Sequence, residues 1–130
     1  MERFVKGDVV VVPFPFSDLS GSKRRPALVL TDLRGDDMII CQITSKPAND
    51  IFAQPLISED FISGSLLANS YIRPLRVFTV DKNIVFRKIG QITSERMNKV
   101  IDAIIFTLKQ LFNYSLFIAS TGFAVAAFIA

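Results

Sequence analysis

The chain has 130 residues, half of them hydrophobic, with a formal net charge of +3 and no histidine. Its length suits one domain with a single buried core, and its apolar content excludes an intrinsically disordered chain. The lack of histidine excludes a Ser-His-Asp triad, a histidine acid–base pair and a zinc site built on imidazole. Neither GxxxxGK[ST] nor GxGxxG occurs, so nucleotide hydrolysis over a glycine-rich phosphate loop is also disfavoured.

The first third of the chain predicts three strands. Residues 9–14 are apolar and are predicted to form a buried strand. Pro13 and Pro15 mark its end, because proline cannot donate to a strand ladder. Residues 27–31 and 38–43 are two further apolar runs, and the polar residues between them, with Gly35, predict a hairpin turn. The single cysteine, Cys41, lies in the third run, which excludes an internal disulfide and predicts a buried thiol in a reducing compartment.

A polar loop, residues 17–23, is predicted between the first two strands, and Arg24-Arg25-Pro26 follows it. An arginine at the mouth of a loop, held by buried strands, is a rigidly mounted cation suited to meeting a phosphate. The mildly basic net charge permits a polyanionic partner. A site for RNA or DNA is therefore the first functional hypothesis.

The middle of the chain predicts shorter elements. Residues 45–50 form a polar loop, and a short strand follows near residues 54–57. Residues 65–80 alternate imperfectly around Pro74, which predicts a bent strand. Residues 84–86 are the next predicted strand, and Gly90 closes the segment before a helix.

The helix has the strongest periodicity in the sequence. Thr93 or Ser94 suits its N-cap, and Glu95 and Lys109 suit the two ends of its dipole. One apolar stripe runs along it and is expected to pack on the sheet: Met97, Val100, Ile101, Ile104, Ile105, Leu108, Leu111 and Phe112. Many short strands with one closing helix predict a mainly β (α+β) fold, a strongly bent antiparallel sheet or partly open barrel.

The ordered set of motifs resembles a known family. Gly7-Asp8-Val9-Val10-Val11-Val12, then Arg25-Pro26-Ala27-Leu28-Val29-Leu30, is similar to the opening of the MazF/PemK toxins of type II toxin–antitoxin systems. Further matches are Ile43-Thr44-Ser45, Ser70-Tyr71-Ile72-Arg73 and Ile89-Gly90-Gln91-Ile92 before the helix. The resemblance covers roughly residues 4–112.

This resemblance implies an SH3-like barrel and a cytoplasmic, homodimeric endoribonuclease that needs no metal or other cofactor. It also implies a cognate antitoxin protein, whose flexible C-terminal segment occupies the RNA groove. By position, Arg25 and Thr44 are the implied catalytic pair. Candidate contacts to single-stranded RNA are Lys23, Arg24, Ser45, Lys46, Ser70 and Arg73.

The expected chemistry requires no enzyme nucleophile. A ribose 2′-hydroxyl attacks the adjacent phosphorus and leaves a 2′,3′-cyclic phosphate and a 5′-hydroxyl, so the protein has only to position and stabilise. Arg25 neutralises the growing charge, and the Thr44 hydroxyl contributes a hydrogen bond. Phe14, Phe16 and Phe52 are candidate base-stacking residues, although most of the 12 phenylalanines must be core.

The loop before Arg25 departs from the family pattern and keeps other functions open. Many relatives have an acidic residue there, where this chain has Ser20. If that carboxylate acts as the general base in those relatives, this chain either lacks the base or uses Asp18 instead. One alternative is a non-catalytic toxin of the same fold that binds a protein target, as the gyrase poisons do. The other is a silent family member that acts only through its antitoxin complex.

The predicted domain spans residues 1–112, and residues 113–130 form an apolar tail. From residue 111 to residue 130 there is no charged side chain, and about 20 apolar residues can span a bilayer. Three interpretations stay open: a second helix packed on the barrel or a dimer partner, a membrane anchor, or a non-native extension that exposes an aggregation-prone patch.

Overall fold

The computed structural model describes residues 3–15, 22–47 and 49–121, and for residues 15, 22 and 111–121 it describes the backbone alone. Within these ranges the chain forms one seven-stranded antiparallel sheet and one α-helix. The elements are β1 (Asp8–Pro15), β2 (Ser22–Asp32), β3 (Asp37–Thr44), β4 (Gln54–Leu56), β5 (Phe61–Gly64), β6 (Ser70–Asp81), β7 (Arg87–Ile92) and α1 (Ser94–Thr121). The strand order is β4-β6-β3-β2-β1-β7-β5.

The sheet curls so that both faces of its central strands are buried, which is why these strands are continuously apolar. Val9 and Leu28 lie in a core that also includes Met97 and Val100 of α1. Their neighbours along the strands, Val10 and Val29, lie in a second core on the other face. This curled half-barrel with a C-terminal helix confirms the predicted fold class, and the β2–β3 hairpin is confirmed with it.

The second strand begins earlier than predicted. β2 starts at Ser22, so Lys23, Arg24 and Arg25 are strand residues paired with Phe14, Pro13 and Val12 of β1. Pairing with β3 begins only at Ala27, so the missing N–H of Pro26 leaves no ladder bond unmade on that side. Long charged side chains are tolerated in a strand wherever the face they occupy reaches solvent.

The predicted strand at residues 84–86 is wrong. Lys82–Ile84 is a short 3₁₀ turn, and the Asp81 carboxylate accepts a hydrogen bond from the Asn83 amide at 2.8 Å. The strand begins three residues later, as β7, and contains Gly90 instead of ending there. β5, which the sequence did not predict, pairs with β7 through Gly64 and Gly90.

β6 confirms the predicted bend, although residues 65–69 are not part of the strand. Its partners on β3 jump from Val77, opposite Cys41, to Arg73, opposite Gln42. The three residues between them therefore have no partner on β3. Such an irregularity bends a strand and increases its twist, so β6 can contribute to both core faces.

The helix begins as predicted, and the Thr93 hydroxyl accepts a hydrogen bond from the Arg96 amide at 3.2 Å. Met97 and Val100 are buried, but Ile105 and Leu108 are exposed, so the prediction that the whole stripe packs on the sheet is wrong. Only the first part of the stripe packs on the sheet, and the side chains of Ile105 and Leu108 face solvent. The predicted packing of Leu111 and Phe112 lies outside the described side chains.

α1 continues past residue 112 to Thr121 without a break, so the first part of the predicted tail extends the same helix. Residues 112–121 contain neither glycine nor proline, the residues that would interrupt it. None of the helices in the described part of the chain is long and apolar enough to cross a membrane. Residues 122–130 lie outside the description.

Candidate functional site

An open pocket of about 710 Å³ lies where the ends of β2 and β3 diverge beside β1 and β7. Its outer wall is the segment 64–68, which follows β5. Leu66 anchors that wall to the first core, and the Ser70 hydroxyl donates to the Ala68 carbonyl oxygen at 3.0 Å. The lining residues are Val11, Lys23, Arg24, Arg25, Pro26, Ile43, Thr44, Ser45, Gly64, Ser65, Leu66, Leu67, Ala68, Ser70, Arg87, Lys88 and Ile89.

The pocket has a strongly positive lining. Five of the lining residues are lysine or arginine, and no acidic residue in the described part of the chain joins them. A concave surface lined by one sign of charge concentrates the potential and attracts the opposite charge. The site therefore suits an anion.

Arg25 and Thr44 both line the pocket. Each lies two residues beyond the last pair of the β2–β3 ladder, Ala27 opposite Gln42. Their places at the adjoining ends of two paired strands favour joint action on one ligand.

Thr44 is held by its own chain. Thr44 is only 8% exposed. Its hydroxyl accepts a hydrogen bond from the Lys46 amide at 3.2 Å and lies 3.3 Å from the Lys46 carbonyl oxygen, to which it can donate. Both distances are at the long end for hydrogen bonds of these types. The proton can therefore be turned towards a pocket ligand at small cost.

Arg87 and Lys88 belong to the site, although the sequence analysis did not select them. They open β7, which pairs with β1 on the side opposite β2, so the two basic pairs of the sequence meet across β1. The Lys88 ammonium lies 3.2 Å from the fully buried Asp8 carboxylate. The signal was a second basic pair before an apolar strand, but its significance depends on the adjacency of β1 and β7.

Of the remaining predicted site residues, some line the pocket and some do not. Lys23, Arg24, Ser45 and Ser70 line the pocket with Arg25 and Thr44. Lys46 is exposed and lies just outside the lining, next to Ser45 in the chain. Arg73 does not line the pocket.

Arg73 instead fixes the loop that follows β3. Its Nε lies 2.7 Å from an Asp50 carboxylate oxygen, and its Nη1 lies 3.2 Å from the Gln42 side-chain oxygen. The other Asp50 oxygen accepts from the Phe52 amide at 3.0 Å. Burial alone would raise the pKa of Asp50, but the hydrogen bonds from Arg73 and Phe52 and the Arg73 charge outweigh it and lower that pKa.

Cys41 is a buried core residue, as predicted, and burial raises the pKa of its thiol to about 12. It is therefore not a nucleophile near neutral pH. Within the described ranges no three histidine, cysteine or acidic side chains cluster as a metal site would require.

Two sets of candidates need separate mention. Residues 16–21, with Asp18, Ser20 and Phe16, lie outside the described residues. Of the other phenylalanines considered for base stacking, Phe14 is buried in the second core, and Phe52 lies on the loop after β3, away from the pocket lining.

Comparison with known proteins identifies the family of this chain. A sequence profile of the PemK-like, MazF-like toxins of type II toxin–antitoxin systems matches residues 5–108. The chain belongs to this family. The match spans all the strands of the described chain and residues 94–108 of α1, and it confirms the resemblance stated from the sequence.

Solved structures show the same fold at low sequence identity. A mycobacterial endoribonuclease in complex with its cognate antitoxin is 15% identical, with a TM-score of 0.65 over 82% of this chain and 96% of that one. The MazE–MazF structure from Deinococcus radiodurans is 20% identical, with a TM-score of 0.63 over 81% of this chain and 95% of that one. A search of curated proteins finds no match.

Proposed function

We propose that this toxin is a sequence-selective endoribonuclease that cleaves single-stranded RNA without a metal ion. The observation that carries the proposal is the pocket that combines Arg25 and Thr44 with four further cations and, among the described residues, no carboxylate. A polyphosphate backbone is the biological polyanion that such a cleft fits. Membership of a toxin family with solved endoribonuclease relatives supports the same reading.

The reaction uses the substrate's own nucleophile. The 2′-hydroxyl oxygen attacks phosphorus, the bond from phosphorus to the 5′ oxygen breaks, and the products are a 2′,3′-cyclic phosphate and a 5′-hydroxyl. Arg25 stabilises the negative charge that develops on the phosphorane oxygens, since a guanidinium offers a planar pair of donors. A guanidinium has donors and no acceptor, so the general base is another group.

Thr44 supplies the second donor to the same phosphate when its hydroxyl turns from the Lys46 carbonyl oxygen. Lys23, Arg24, Ser45, Ser70, Arg87 and Lys88 hold the flanking backbone, and the exposed Lys46 extends that track. Arg73 is left out, because it does not line the pocket and its guanidinium holds Asp50 instead.

We also propose that the protein acts in the cytoplasm as a homodimer and is neutralised by a cognate antitoxin. A relative of the same fold is described in complex with its cognate antitoxin. The exposed apolar side chains of Ile105, Phe106 and Leu108 on α1 offer surface for a protein partner.

The test is cleavage of a long mixed-sequence RNA by the full-length protein in excess EDTA. We expect discrete fragments with 5′-hydroxyl ends. Arg25→Ala should lower the rate about 100- to 1,000-fold, the usual effect of removing one preorganised donor. The matched control is Arg34→Ala, which removes an exposed arginine of the β2–β3 turn, away from this pocket.

Intact RNA after incubation with folded wild-type protein would contradict the proposal. That outcome would favour a toxin that binds a protein target, or a silent member that acts through its antitoxin complex. Equal losses in Arg25→Ala and Arg34→Ala would instead remove Arg25 from the proposed centre.

A further inference from the structure

A stacked cation–aromatic pair lies at the edge of the pocket. The Arg24 Cζ is 3.7 Å from the centroid of the Phe86 ring. This distance is that of direct stacking and well within the range of cation–π contacts. The guanidinium therefore has a fixed orientation beside the residue that is proposed to meet the scissile phosphate.

The two partners come from opposite sides of β1. Arg24 is opposite Pro13 on the β2 side, and the Phe86 amide donates to the Val11 carbonyl oxygen at 2.9 Å on the β7 side. Strands two places apart in a sheet are about 10 Å apart. The Arg24 side chain thus crosses β1 to reach the ring, and only a long side chain can make this contact.

Phe86 is not a core residue. It belongs to neither core cluster and is 50% exposed. Arg24 is also exposed and takes part in none of the ion pairs formed by the described residues. The ring covers one face of the guanidinium plane, and the exposure of both side chains leaves the pair open to solvent.

We propose that Arg24 and Phe86 form a stacking platform for one nucleobase of the RNA, a proposal that rests on the nuclease function above. Bases of single-stranded RNA stack on aromatic rings and on arginine planes. Arg24 lines the phosphate pocket together with Arg25. A base held here belongs to the RNA segment that occupies this pocket.

The platform predicts stacking without a hydrogen-bond code at this position, because every base has a flat apolar face. It also separates two roles of Arg24. A phosphate contact needs only its charge, whereas stacking needs its plane. Arg24→Lys keeps the charge and loses the plane, and Phe86→Leu keeps an apolar side chain and loses the ring.

The experiment uses the full-length protein and 2′-O-methyl RNA oligonucleotides, in which the attacking hydroxyl is blocked. A 2-aminopurine is moved through the sequence one position at a time, and its fluorescence is followed during titration. We expect quenching at one position in the wild type. Phe86→Leu and Arg24→Lys should each lose that quenching and weaken binding about tenfold, the range of one base stack.

An abasic site at the quenched position is the decisive control. It should weaken binding by the wild type about tenfold and by Phe86→Leu less than twofold, because the platform is already lost there. Phe52→Leu makes the same change at another exposed phenylalanine, outside the pocket lining, and should bind as the wild type does. A merely structural role of Phe86 would lower the unfolding temperature without singling out one base.

Wild-type affinity in both Phe86→Leu and Arg24→Lys, or equal losses at the abasic site in wild type and variant, would overturn the platform. Unmodified RNA cut by both wild type and Phe86→Leu would then leave the nuclease function standing. A wild type that neither binds nor cuts RNA would overturn both. If an acidic protein segment occupied the pair instead, RNA affinity would be the same in all three proteins.

Discussion

Arg25 and Arg73 lie on strands of one sheet, but they belong to different parts of it. Arg25 lines a pocket together with four other cations, one of which, Lys88, is paired with the Asp8 carboxylate. Arg73 lies outside that pocket lining, 2.7 Å from Asp50, and serves to hold a loop. The same residue type thus contributes to a candidate site in one place and to a structural bond in the other, and its position relative to the pocket distinguishes them.

The pocket and the loop at Asp50 are also held in different ways. The outer wall of the pocket depends on close backbone packing between β5 and β7, where Gly64 crosses Gly90. The loop depends on a few polar contacts of one carboxylate. Disruption of the pocket wall should therefore cost more stability than disruption of the loop.

The largest effect is expected for Gly64→Ala. Gly64 has a φ of +72°, and a Cβ there would lie 2.6 Å from the Gly90 Cα and closer still to the Ile89 carbonyl oxygen. Left-handed strain and a backbone clash together should lower the free energy of unfolding by about 3 kcal/mol. Urea denaturation measures the change.

Gly35→Ala is the matched control for the strain alone. Gly35 has a φ of +80°, but nothing lies within 4 Å of the position of its Cβ. Its substitution should cost only about 1 kcal/mol. Equal losses at the two glycines would show that the approach of β5 to β7 does not carry the pocket wall.

A second, smaller effect is expected for Arg73→Ala. Loss of the two hydrogen bonds from the guanidinium should lower the free energy of unfolding by about 1–2 kcal/mol, because Asp50 is left partly buried with only backbone amides as partners. RNA cleavage should stay within about twofold of wild type. Denaturation and cleavage rates are measured on the same preparation.

Arg76→Ala removes an exposed arginine of the same strand that pairs with no described carboxylate, and its stability should change by less than about 0.5 kcal/mol. A large loss of cleavage in Arg73→Ala at unchanged stability would reverse the comparison. It would move Arg73 from the loop to the active site.

The sequence predicted the architecture well wherever burial determined it. The apolar runs around Val9, Leu28 and Ile40 are strands, and the periodic stretch from Met97 is a helix. It failed where polar residues occur in strands, as at Lys23 to Arg25, and where one turn displaced an element, as after Asp81. In those places the backbone partner decides the structure, and the partner is distant in sequence.

The candidate site was predicted in part for the same reason. Arg25, Thr44 and Ser70 were selected by motif, and all three line the pocket. Arg87 and Phe86 were missed, because their importance follows from the pairing of β7 with β1, which nothing local encodes. Arg73 was also selected by motif. Nothing in the sequence indicates that Asp50, 23 residues away, is its partner.

The smallest effect, and the most specific test of the loop, is the pH dependence of Asp50. The pKa of its carboxyl in the folded protein lies below the ordinary value of 3.8, because the hydrogen bonds from Arg73 and Phe52 and the Arg73 charge outweigh burial. Its stabilising contribution is therefore fully present above pH 3.8 and is lost as the pH falls through the lower pKa of the folded protein.

Asp50→Asn retains an oxygen acceptor but no charge. The difference in unfolding free energy between wild type and Asp50→Asn should thus be constant from about pH 7 to about pH 5 and shrink as Asp50 protonates. Urea denaturation from about pH 7 to below 3.8 gives the difference, and Asp36→Asn, at an exposed turn carboxylate without a described ion pair, controls for net charge. A difference that did not change across this range would mean that Asp50 holds the loop by its shape and hydrogen bonds alone.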